Sequence, residues 1–149
     1  LQWNPRARVI PFGSVRLGAA LDDSDVDLCV LCDNALPRAA YMESFIEFIR
    51  TRAEDVVPVL DTYVPVVKFV YDGKHIDCVF CCADVADRTG RDLPCVSVED
   101  TRSLQGVIAT ERILALVPER RKQIFPHLLR VTKEWAKARG LGKPFDLSL

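Results

Sequence analysis

The sequence predicts an α+β chain, and three observations carry that expectation. Short apolar segments with strand-like alternation recur between residues 8 and 80. One long helical pattern, beginning at Pro37, interrupts them. After Pro94 the strand texture stops and only helical spacing remains. The 149 residues are 49% hydrophobic and 28% charged, enough for one buried core and marginal for two complete domains. That apolar fraction, with seven Gly, excludes a disordered or collagen-like chain.

Taken in order, Arg8–Phe12 reads as a short strand that ends at Gly13-Ser14. Ser14 is placed to cap a short helix over Val15–Leu21. Leu21-Asp22-Asp23-Ser24 is a turn, and Asp25–Leu31 a strand that alternates at its start. Pro37–Asp55 is predicted helical, with Tyr41, Met42, Phe45, Ile46, Phe48 and Ile49 at helical spacing and Glu43, Glu47 and Arg50 on the other side. Tyr63–Val70 and Lys74–Phe80 form two strands joined through Asp72-Gly73, a strong hairpin signal. Asp84–Pro94 is irregular. Val98–Val117 and Phe125–Arg139 are helices separated at Pro118, with Pro126 in the first turn of the second. Leu128, Leu129, Val131 and Trp135 are expected in its core. A domain boundary is expected near residues 94–99, giving 1–96 and 97–149 as the two parts.

Net charge is −1, so no strongly basic balance announces a nucleic-acid binder. That total hides two halves. Residues 1–110 hold 11 basic and 17 acidic groups; residues 111–149 hold 9 and 4. No apolar run is long enough to span a bilayer, so no membrane is expected. The chain begins Leu1-Gln2-Trp3 and reads as a piece of something longer, or its ordered part. Of six Cys, five fall in strand-like runs. Cys29/Cys32 and Cys78/Cys81 have a metal-like spacing, but a strand sends residues i and i+3 to opposite faces. Buried reduced thiols are the expectation, and they suit a cytosolic or nuclear compartment.

Asp25 and Asp27 are two apart in a strand, so both carboxylates leave one face while Val26 and Leu28 leave the other. Ionising both is costly without a cation between them. Gly13-Ser14, after a strand and opening a helix, offers N–H groups and a hydroxyl to a phosphate. Asp77 sits between Ile76 and Cys78 in an apolar strand and needs a partner for its charge. Three Asp and a phosphate-cradling loop match the needs of a two-Mg2+ site for in-line phosphoryl transfer.

Phe12-Gly13-Ser14-Val15-Arg16-Leu17-Gly18 followed by Asp25-Val26-Asp27 resembles the signature of polymerase-β-type nucleotidyltransferases. Three further stretches resemble nuclear-type eukaryotic poly(A) polymerases within that superfamily. They are Tyr63–Phe69, Ser103-Leu104-Gln105-Gly106 with Thr110–Leu114, and Arg130–Lys137. The resemblance implies a mixed sheet with helices packed on it, followed by the start of a helical central domain. It implies template-independent transfer of AMP from ATP to RNA 3′ ends.

Within that resemblance, Asp25, Asp27 and Asp77 would hold two Mg2+ or Mn2+ ions. One ion would acidify the RNA 3′-hydroxyl and the other neutralise the triphosphate. Asp77 would touch only the ion nearer the primer. Gly13, Ser14 and Lys133 would hold the ATP phosphates. Lys68 would face nucleotide or primer; Phe12 and Tyr63 are candidate base-facing aromatics, with a place in the buried core preferred for Phe12. Gln105 stands where the family usually has a ribose-contacting Asn, and Gly142 where it has a triphosphate-binding Tyr. The resemblance implies RNA 3′-end processing factors as partners and a nuclear location, with the cytoplasm as the other placement. Two other readings remain: a uridylyl or other ribonucleotidyl transferase, and a non-catalytic nucleotide-binding module.

Overall fold

A computed structural model describes residues 3–83 and 97–141. The expected irregular segment 84–94, Cys95 and Gly142 lie outside the described residues. Strands β1 (Arg8–Pro11), β2 (Val26–Cys32), β3 (Glu54–Val59), β4 (Val66–Tyr71) and β5 (Lys74–Cys82) form one sheet in the order β1-β2-β5-β4-β3. The central pair β2 and β5 is parallel and every other neighbouring pair antiparallel, so the sheet is mixed. Pro11 and Pro58, which cannot donate to a ladder, sit in the two edge strands.

Strand alternation divides the buried residues between two faces. On the first, helix α2 (Arg38–Arg50) packs Tyr41, Met42, Phe45, Ile46 and Ile49 over Val30, Cys32, Val67, Phe69, Cys78, Phe80 and Cys82. The Phe45 ring lies edge-on to Trp3 and Phe80, 5.2 Å from each. On the second, helix α3 (Val98–Leu116) packs Leu104 and Val107 over Cys29, Leu31, Val79 and Cys81. Fully burying each large side chain, such as Phe80 or Leu31, contributes about 1.5–3 kcal/mol. Cys29 and Cys32 thus lie on opposite faces, as do Cys78 and Cys81. Burial pushes the Cys32 and Cys78 thiols up to about 12 and Cys82 to about 11, which keeps them protonated at neutral pH.

Helix α3 is pinned to the sheet at its start. Ser97 caps it by accepting from the Asp100 N–H at 3.0 Å. The buried Asp100 carboxylate accepts from the Cys82 N–H at 2.8 Å and from the Ser97 hydroxyl at 2.6 Å.

Four local expectations need correction. The helix after β1 is α1 (Gly13–Arg16), starting two residues early and ending well before Leu21. Ser14 lies inside it and does not cap it; the N-cap position is Phe12. Gly18 ends it with φ +68°, and Ala19 N–H and Gly18 N–H donate back to the Ser14 and Val15 carbonyls. The predicted helix Pro37–Asp55 stops at Arg50, and its expected tail opens β3, which the sequence reading missed. Asp55, at φ +50°, lies where the ladder slips between Glu54 and Val57.

The last correction concerns α4 (Phe125–Ala138). Of the residues expected in a core, Leu128, Val131 and Trp135 are 62%, 62% and 51% exposed and Leu129 is half-buried, and Ile124 continues the exposed stripe at 65%. The helix docks by its opposite, polar side. A Cβ on Gly18 would lie 3.2 Å from the Pro126 ring. Arg130 Nε donates to the Gly18 carbonyl at 3.0 Å, and Lys137 pairs with Asp23. None of the helices among the described residues is long and apolar enough to cross a membrane.

Candidate active site

The parallel register of β2 and β5 sets Asp27 directly beside Asp77. Both share strand parity with Cys29, Val79 and Cys81, so they project on the α3 side of the sheet, while Asp25 stands just before the first residue of β2 and lines a cleft with Asp77. Asp25 is exposed; Asp27 and Asp77 are half-buried. Burial pushes the Asp27 carboxyl above its ordinary range, and the Asp77 and Asp25 charges push it further. Lys68 is the register partner of Asp77 on β4, and the two side chains form an ion pair. A cleft of about 300 Å³ is lined by Asp25, Lys68, His75 and Asp77, among others. A larger cleft of about 620 Å³ lies at the other ends of β2 and β5, beside Pro37, Cys82 and Ser97. It contains none of these three carboxylates.

Above the carboxylates the chain turns from β1 into α1. The Phe12 N–H donates to the Asp27 carbonyl at 3.0 Å, which brings Gly13 against Asp27. Gly13 has φ +61°, and a Cβ there would meet Asp27 Oδ2 at 2.5 Å. Only glycine fits both demands. The Gly13 N–H donates to Thr110 Oγ1 on α3 at 2.9 Å. Ser14 is half-buried beside it. Phe12 belongs to the second core face, and its ring lies where a Cβ on Gly106 would be, 2.5 Å from Cε2.

From the other side, α4 delivers Lys133. Its Nζ donates to the Ala19 carbonyl at 3.2 Å and to Ser24 Oγ at 3.3 Å, and its charge acts on Asp27. Phe12, Gly13, Asp25, Asp27, Lys68, Asp77 and Lys133 are thereby brought into one neighbourhood, with Ser14 adjoining Gly13. Tyr63 is not. It is 72% exposed, three residues before the Val66–Val79 pair, and the Arg102 guanidinium lies 4.1 Å over its ring. Gln105 is on the exposed side of α3. Thr110 joins the site although nothing in the sequence singles it out beyond the Thr110–Leu114 stretch; its signal is a hydroxyl four residues after Gly106 on a helix face that otherwise packs on the sheet.

An all-oxygen donor set on one strand face suits a hard divalent cation. Among the described residues no three His, Cys, Asp or Glu side chains already converge on a single point, and the Asp77 carboxylate is turned to Lys68. Burial is the main cause of the raised Asp27 pKa and the Asp77 and Asp25 charges add to it, so a divalent cation at these carboxylates would offset both costs. The same fact has a sign for stability. A carboxyl whose pKa is raised by folding contributes stability below its ordinary value of 3.8. That contribution is lost as pH rises through the folded pKa. Asp27→Asn should therefore melt at a higher temperature than the wild type at pH 7 in metal-free buffer. The gap should close as pH falls through the carboxyl range. Equal melting temperatures at pH 7 would show that the cluster carries no such penalty.

The fold itself is that of RNA terminal nucleotidyltransferases. The chain superposes on the Cid1 RNA terminal uridylyl transferase with a TM-score of 0.66 at 22% identity, covering 97% of this chain and 39% of that one. A cytoplasmic RNA terminal U-transferase gives 0.56 at 23% identity, covering 97% and 37%. Sequence narrows the class. The model of the poly(A) polymerase nucleotidyltransferase domain matches residues 4–117, and the chain belongs to that family. It is 34% identical over 144 residues to the poly(A) polymerase PAPa of Candida albicans, and 34% identical over 144 residues to the poly(A) polymerase pla1 of Schizosaccharomyces pombe. Each alignment covers 90% of this chain and 25% of the relative, so the chain spans about a quarter of the length of these relatives.

Proposed function

We propose that this chain carries the catalytic part of a template-independent polynucleotide adenylyltransferase, in which the RNA 3′-hydroxyl attacks the α-phosphorus of ATP, AMP is added to the RNA and pyrophosphate leaves. The observation that carries the reading is the register that aligns Asp27 with Asp77 beneath Gly13. Family membership and the named poly(A) polymerase relatives support adenylate as the transferred group. The resemblance to nuclear-type poly(A) polymerases leads us to propose in addition a nuclear setting with 3′-end processing partners. We keep a division near residue 96, with α3 as the shared element: it opens the helical part while its Leu104 and Val107 pack on the sheet.

In this reading Asp25, Asp27 and Asp77 hold two Mg2+ or Mn2+ ions. When bound, such ions neutralise the triphosphate and acidify the attacking hydroxyl. Asp77, at the β4 side, serves the primer end and accepts the hydroxyl proton. Ser14 donates its hydroxyl to the triphosphate, and Gly13 gives the space for it. Lys133, now held by a carbonyl and a hydroxyl, exchanges these neutral acceptors for phosphate oxygen. Lys68 faces nucleotide or primer once released from Asp77.

Incorporation of each of four labelled nucleotides into an oligo(A) primer by the full-length protein, with Mg2+ and with Mn2+, tests the function. ATP-only addition is expected. UTP addition would make it a uridylyl transferase, and no addition with Asp25 intact a non-catalytic module. Lys133→Ala is expected to raise KM for ATP by about tenfold, the loss of one charge-assisted contact. An unchanged KM would return Lys133 to a purely structural tie between α4 and the turn.

A further inference from the structure

Thr110 is buried on α3, and its hydroxyl is used twice. It donates to the Gly106 carbonyl one turn back at 2.7 Å, and it accepts from the Gly13 N–H at 2.9 Å. The first bond fixes the hydroxyl rotor, so the oxygen lone pair is aimed off the helix toward Gly13. Two neighbours reinforce the same junction. The Phe12 ring lies on Gly106, and Arg16 Nε donates to Glu111 Oε1 at 2.8 Å. The segment from Phe12 to Arg16 is thus tied to α3 at three successive points, of which the Thr110 bond is the one made to the backbone of Gly13.

We propose that Thr110 is a positioning residue for nucleotide binding. Its hydroxyl fixes the Gly13 peptide, and through it the place of Ser14 and the close approach of Gly13 to Asp27. The Gly13 N–H is committed to Thr110, so Gly13 serves the nucleotide by lacking a side chain, and the phosphate contacts fall to Ser14 and Lys133. This inference rests on the nucleotidyl-transfer reading. Val in place of Thr keeps the shape of the side chain but leaves the half-buried Gly13 N–H without its acceptor, which costs a typical hydrogen bond or more. The loop then relaxes away from α3. Ser keeps the hydroxyl and gives up only a methyl group.

The test is Mg-ATP affinity of the full-length protein by calorimetry, with exchange of the Gly13 amide followed in parallel. Thr110→Val is expected to raise Kd about tenfold and to speed Gly13 exchange, while Thr110→Ser stays within about twofold of wild type. Wild-type affinity in Thr110→Val would overturn the proposal. So would equal weakening in Val and Ser, because the methyl group, not the hydroxyl, would then matter. Should Thr110→Val fail to fold, the Ser variant and the wild-type amide decide: fast Gly13 exchange in the wild type removes the tether. Absence of Mg-ATP binding by the wild type would instead strike the nucleotidyl-transfer reading itself.

Discussion

Asp77→Ala is expected to abolish primer extension while leaving the fold and ATP affinity nearly intact. The loss should be at least about a thousandfold, roughly 4 kcal/mol of transition-state stabilisation, as befits removal of a group that matters only at the reacting centre. Two features of the structure make the effect separable. Asp77 lies on β5, across the strand pair from the Gly13 turn and α4, which are the elements assigned to ATP. Its removal also relieves one of the charges that raise the Asp27 pKa, which offsets the loss of the Lys68 ion pair. The released Lys68 is half-exposed and can find water. Extension assays and direct ATP titration of the same variant check this. A loss of ATP binding as large as the loss of extension would contradict the primer-side role of Asp77.

Gly13→Ala is expected to be the most damaging single methyl group in the chain. The left-handed backbone alone costs about 1–2 kcal/mol in a non-glycine residue. The new methyl carbon would also stand 2.5 Å from Asp27 Oδ2, so the loop or the carboxylate must move. A shift of that size in a reacting group can cost on the order of a hundredfold in rate. Gly73→Ala is the internal control. Its φ is +69°, close to that of Gly13, but a Cβ there meets nothing within 4 Å. It should show the backbone penalty in denaturant melts with activity retained. Equal effects of the two substitutions on extension would mean that the approach of Gly13 to Asp27 does not matter.

Much of this arrangement was legible from local pattern. The strand read at Asp25–Leu31 (observed as Val26–Cys32), the Asp72-Gly73 turn, the break at Pro118 and the place of Pro126 in the first turn of α4 each depend on a few adjacent residues, and each appears in the structure. Asp27 could be assigned to a strand face for the same reason, whereas Asp25, expected on that face too, stands just before β2 begins. What could not be read is what depends on pairing at a distance. Nothing local says that Asp27 and Asp77, fifty residues apart, share a register, or that Lys68 opposes Asp77. The strand β3 was hidden because Glu54 and Asp55 continue a helical run and Pro58 argues against a strand; its edge position removes that objection. The exposed stripe of α4 misled for a related reason. Helical periodicity identifies an apolar side but not what it meets, and here the docked side is the one bearing Pro126, Arg130, Lys133 and Lys137.

That docked side has an electrostatic consequence. Lys137 and Lys68 are each matched to a carboxylate, whereas Arg130 and Lys133 rest on peptide carbonyls and a hydroxyl. A dipole holds a cation in place without cancelling its charge. Two positive charges are therefore held at the turn without a direct ion pair among the described residues, Lys133 acting only through space on Asp23 and Asp27, and a polyanion approaching the turn would feel them. Their pull should fade as added salt shortens the screening length to that of the cleft itself, and encounter with a phosphate-rich partner should slow accordingly.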